Sequence, residues 1–235
     1  MSRPRPRSRR TADATRTIAS ALGVFAGLSG LDHGLFEALQ GDAPTTGLIV
    51  QSIGPAQRMW VYGTEEAFTL VPNFLVTGIL AMTVGTLVIV WSIGFIDRKD
   101  GSRVFLLLGT LLFLVGGGVA QVAFVALGWA VSRRIGRPLT WWRSILPRGA
   151  GRRLARLWLG LLLVALALGL AALEIAIAGV VPGVTDPAQA RLICWSTLGL
   201  MLAMLLLAVV AGSAHDAERQ AEQPGGRRAR TEAPR

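Results

Sequence analysis

Five apolar stretches separated by short polar segments organise the chain: about 15–40, 73–96, 104–131, 157–180 and 187–212. Runs of more than about 18 apolar residues mark membrane spans. The pattern predicts an all-α, polytopic membrane helix bundle. One domain, 13–212, lies between a basic tail, 1–12, and a polar tail, 213–235, and both tails read as disordered. Asp13 is placed to cap the first helix, and Asp186 followed by Pro187 to cap the last. Thr64, Glu65 and Glu66 read as a helix start, and Pro72 either kinks or begins that helix. The piece 48–53 is too short to cross and belongs at the interface, with Trp60 and Tyr62.

The third stretch is ambiguous. As one helix, 104–131 measures about 42 Å, long for a single crossing. Gly116, Gly117 and Gly118 divide it into arms of 12 and 13 residues. Each arm spans roughly 18–20 Å, enough to dip in and return. The alternatives are four full spans plus a re-entrant or broken helical hairpin, and five plain spans.

Charge favours the hairpin. The chain carries +10, and 23 of its 24 basic residues are arginine. Basic residues prefer the cytoplasmic side. Five plain spans divide them 10 against 14, whereas the hairpin gathers 22 on one side and leaves 2, Arg58 and Arg191, on the other. Both tails are then cytoplasmic. The arginine-rich, GC-type composition suggests a bacterial inner membrane. The N-terminus mimics a secretory signal but offers no clear cleavage site, so its apolar run reads as a retained span.

Chemistry concentrates at the end of the first helix. His33, Glu37 and Gln40 share a face at i, i+4 and i+7, and Gly23/Gly27 and Gly30/Gly34 allow close helix approach. With the hairpin, His33 and Glu174 fall at one depth in the outer half, with Glu37 just above. Gln121 then lies near the hairpin tip, and Arg58, Glu65, Glu66 and Asn73 close the site from outside. Glu174, ionisable within a span, is the strongest single signal. The basic loop, with Arg133, Arg134, Arg137, Trp141, Trp142, Arg143, Arg148, Arg152 and Arg153, fits a segment lying on an anionic leaflet better than a nucleic-acid surface.

Cys194 is the sole cysteine and His215 the only other histidine, so neither a disulfide nor a metal site is expected. No Walker loop, nucleophile elbow or HExxH motif occurs, and no cofactor is implied. The expectation is a non-enzymatic membrane protein with an outward-facing polar pocket that binds or passes a small polar solute, cation or proton. The alternative is a structural or accessory subunit, acting through helix contacts and its basic loop on a membrane partner or a second copy. An intramembrane enzyme using His33 or a carboxylate as base is a third class, without a nucleophile or metal motif to support it.

Overall fold

The computed structural model describes residues 13–137 and 148–222. Among these the chain forms α1 (Ala14–Ala38), β1 (Ile49–Gln51), β2 (Glu66–Phe68), α2 (Phe74–Gly94), α3 (Gly101–Leu114), α4 (Gln121–Ser132), α5 (Arg148–Ala178) and α6 (Pro187–Glu222). Four helical stretches are long and apolar enough to cross a membrane: Ala14–Ala38, Phe74–Gly94, Arg153–Ala178 and Pro187–Ala221. At about 21 and 18 Å, α3 and α4 fall short of a roughly 30 Å hydrocarbon core. Asp13 caps α1 and Asp186 caps α6, as their sequence positions predict.

Glycines join α1 to α2. Gly27 faces the Gly85 carbonyl, and Gly34 faces the Gly78 carbonyl and Met82. Van der Waals contact at close range holds such a pair. A β-carbon on Gly78 would lie 2.5 Å from the Ala38 nitrogen. Gly78→Val is therefore expected to lower the melting temperature by roughly 5–10 °C. Gly94→Val meets open space and serves as the control in the same thermal scan.

The chain reverses between α3 and α4. Gly109 packs on Val125, and Gly128 on the Phe105 ring, so the two helices run side by side in opposite directions. Phe105 also reaches Gly23, and Leu112 reaches Gly30, which seats the pair against α1. Ile18, Leu22, Phe105, Leu112 and Val125 are core residues. The start of α1 meets the end of α2 through Arg16, which bonds the Ile93 carbonyl (3.1 Å) and pairs with Asp97 (3.4 Å). Trp91 Nε1 donates to the Gly101 carbonyl at the same end.

Two short strands break the all-α expectation. β1 and β2 pair antiparallel, with Ile49 opposite Phe68, Val50 opposite Ala67 and Gln51 opposite Glu66. The segment 48–53, read as interfacial, supplies β1, and Glu66 lies in a strand rather than at a helix start. α2 begins only at Phe74, with the Asn73 side chain accepting from Val76 N (3.0 Å) and Pro72 just before it. The ribbon and the residues after it satisfy the turn between α3 and α4. Leu70 N donates to Leu114 O (2.9 Å), Gly116 N to Phe68 O (3.0 Å) and Val119 N to Glu66 O (3.2 Å). Buried backbone groups need such partners.

The last helix corrects a boundary. Residues 213–222, read as part of a disordered tail, continue α6. Ala208, Ala211, Ala214 and Ala217 form a buried small-residue stripe at i+3 spacing. Asp216 then caps α1 from a distance: its carboxylate accepts from Ala14 N (3.0 Å), Thr15 N (2.8 Å) and the Thr15 hydroxyl (2.6 Å). Burial pushes the neighbouring Asp13 carboxyl up to about 7, helped by a hydrogen bond to Asp216 and its charge. Asp216→Ala leaves α1 donors without their acceptor and is expected to cost about 1–3 kcal/mol, read as a lower melting temperature. The tail positions 1–12 and 223–235 lie outside the described residues.

Candidate functional site

The last two turns of α1 carry the site. His33 Nδ1 lies 2.9 Å from the Ser29 carbonyl. A carbonyl can only accept, so Nδ1 carries the hydrogen, and in the neutral ring Nε2 holds the free lone pair. That Nε2 is buried without a hydrogen-bond partner and faces Glu65 Oε2 at 3.8 Å. The separation is too long for a hydrogen bond and short enough for an ion pair when the imidazole is protonated.

One turn above, the Glu37 carboxylate is fully buried. Its Oε1 accepts from the Ser52 hydroxyl (3.0 Å), whereas Oε2 has no partner. Gln121 opens α4, is 1% exposed, and has no partner at either amide atom. Asp32 Oδ2 is likewise buried and unpaired. Thr69 and Thr77 share a hydrogen bond of 2.6 Å, and the Thr77 hydroxyl donates to the Val115 carbonyl (2.7 Å).

The three glycines explain how these groups come together. The Glu37 carboxylate fills the space a β-carbon would need on Gly116, the Gln121 amide that on Gly117, and the His33 ring that on Gly118. Gly116 and Gly118 also sit at φ +98° and +96°, a conformation that disfavours any other residue. The chain reversal and the polar cluster are thus one construction: the side chains lie directly on the bare backbone of the turn.

Glu65 is the member with solvent access, its side chain 28% exposed. Burial pushes its carboxyl up to about 7, with the Asp32 carboxylate adding to the effect. The titratable groups around it are Asp32 and His33 of α1 and Cys194 of α6. Below His33 the buried face of α1 is Gly30, Gly27, Ala26, Gly23, Leu22, Ala19 and Ile18, with no polar side chain until Thr15. From His33 to Gly23, where the Ser92 hydroxyl of α2 packs against the glycine, that is about 15 Å of apolar seam.

Not every expected residue joins the cluster. Glu174 is exposed on α5 and has no hydrogen bond or ion pair among the described residues. Depth alone placed it beside His33. Rotation decides otherwise: Leu162, Ala165, Gly169 and Ala172 form the inward face, and two residues beyond Ala172 is about 200° round the helix. Arg58 donates to Gln51 Oε1 (2.9 Å) and forms no ion pair with Glu65 or Glu66 among the described residues. Glu66 is exposed opposite Gln51. Asn73 caps α2 and donates to Asp42 (2.7 Å). Ser52, which bonds Glu37, carried no recognisable signal inside an apolar hexapeptide.

Of the basic loop, Arg133 stacks on Trp129 at 5.0 Å, and Arg134, Arg137 and Arg153 flank it. Trp141, Trp142, Arg143 and the side chains of Arg148 and Arg152 lie outside the described residues. Among the described residues no group of three or more His, Cys, Asp or Glu is placed to hold a metal ion. Comparison with protein-family models, curated proteins and solved structures finds no match to the chain.

Proposed function

We propose that this multi-pass membrane protein binds protons from the outer side, at a non-enzymatic site made by Glu65, His33 and Glu37. The observation that carries the reading is the His33 geometry. Its Nδ1 is committed to Ser29, and its buried, unpaired Nε2 faces a partly exposed carboxyl 3.8 Å away. A proton arriving on Glu65 has the free lone pair of His33 Nε2 within reach. The apolar seam beneath the cluster favours binding over passage. The close packing on the glycines favours a proton or a single bare ion over a polyatomic solute.

The orientation belongs to the same proposal. Arg98, Lys99, Arg103, Arg133, Arg134 and Arg137 flank the end where α1 begins, and Arg58 and Arg191 flank the other. The first end is then cytoplasmic, against anionic lipid of a bacterial inner membrane, and α3–α4 is a re-entrant hairpin whose tip meets the external ribbon. Single cysteines at positions 99 and 61, in a Cys194→Ser background, test this. Impermeant reagent on intact cells is expected to reach 61 and not 99; the reverse overturns the orientation. Proton uptake by the purified chain across neutral pH tests the site. Wild type is expected to take up at least one proton that Glu65→Gln and His33→Gln do not.

A second reading, an accessory subunit, draws on the exposed apolar side chains of the outer loop: Leu48, Ile49, Met59, Val61 and Leu70 are each more than half exposed. Recovery of a stoichiometric membrane partner after crosslinking, with no proton uptake, would favour it.

A further inference from the structure

Behind His33 and Glu65 lies a set of buried oxygens with too few hydrogens to satisfy them. Glu37 Oε2 and Gln121 Oε1 have no partner. No hydrogen bond among the described residues ends on the carbonyl of Gly116, Gly117 or Gly118, and all three glycines are buried. The neutral His33 Nε2 is a further acceptor. Against them stand the Gln121 amide nitrogen and, while the carboxyl is protonated, the single hydrogen of Glu37. Unpaired buried oxygens are costly, and an excess of acceptors over donors is relieved by a guest that only donates or is positively charged. Carboxylate, amide and carbonyl oxygens are the ligands of hard cations, and unwound backbone between two half-helices is where membrane proteins place them.

We propose that the turn between α3 and α4, with Glu37 and Gln121, binds a small monovalent alkali cation of Na+ size that competes with a proton at Glu37. The inference rests on reading this cluster as the working site. Charge balance is simple: one cation enters as one proton leaves the Glu37 carboxyl for solvent. Gln121, its amide turned over so that the oxygen replaces the nitrogen now against Gly117, contributes that oxygen, and the three glycines keep the backbone close enough for carbonyls to complete the shell.

The test uses the full chain in lipid nanodiscs at constant ionic strength, with NaCl exchanged for choline chloride. Na+ at saturation is expected to raise the melting temperature by roughly 5 °C or more and to release protons into weak buffer. Gln121→Leu and Glu37→Gln are expected to abolish both effects, while Glu174→Gln, outside the cluster, retains them. A variant that fails to fold is replaced by Gln121→Met. A wild type equally stable in both salts, with no proton release, overturns the cation site. If proton uptake at Glu65 persists in that case, the proton-binding reading stands without it. A Na+ shift that survives both substitutions also overturns the assignment.

Discussion

Gly118→Ala and Gly116→Ala are each expected to lower the melting temperature by about 10 °C or more, or to prevent accumulation of folded protein. Two costs combine. An alanine held at positive φ loses roughly 1–2 kcal/mol at each site. The new methyl group must also displace the His33 ring or the Glu37 carboxylate, both buried and unable to move into solvent. Overpacking of that kind costs roughly 1–3 kcal/mol. Gly136 and Gly183 separate the two costs: both sit at positive φ, and nothing lies within 4 Å of the missing β-carbon. Alanine there carries the backbone cost alone. If all four substitutions shift the melting temperature equally, the side chains do not lie on the turn as described.

Raising the pH from about 4.5 to about 7 is expected to destabilise the protein, and Glu65→Gln to remove part of that dependence. The Glu65 carboxyl moves from its ordinary 4.5 to about 7 on folding, driven first by burial and then by Asp32. A raised carboxyl binds its proton more tightly in the folded chain. Its contribution is therefore fully present below about 4.5, and it is lost as the pH climbs to about 7. Each pKa unit corresponds to about 1.4 kcal/mol, and partial exposure reduces the total to on the order of 1–2 kcal/mol. Asp13, also raised to about 7, contributes in the same direction, so the difference between wild type and Glu65→Gln isolates Glu65. Stability that rises across this window in wild type, and equally in the variant, would refute the burial of Glu65.

The four helices long and apolar enough to cross a membrane, and the break at Gly116–Gly118, are legible because each is a property of consecutive residues. Run length fixes a span, and three glycines interrupt one. The identity of His33, Glu37 and Gln121 as neighbours is legible for a related reason: helix rise sets depth. Rotation about a helix axis is not written in the same way. Glu174 sits in an apolar helix with weak sidedness, and only packing against α1 and α6 turns it outward. The β-ribbon was hidden because its strands are three residues each and their pairing answers a need elsewhere, at the hairpin backbone. The last turns of α6 read as solvated from their charges. Their alanine stripe and the reach of Asp216 to the start of α1 make them part of the bundle.

Nitrogen NMR of His33 in nanodiscs, with His215→Gln removing the second imidazole, tests the proton site most directly. The neutral ring is expected to carry its hydrogen on Nδ1, and the Nε2 resonance to titrate with a midpoint that changes on Glu65→Gln. An Nε2–H tautomer, or a titration identical with and without Glu65, would contradict a proton shared between the two.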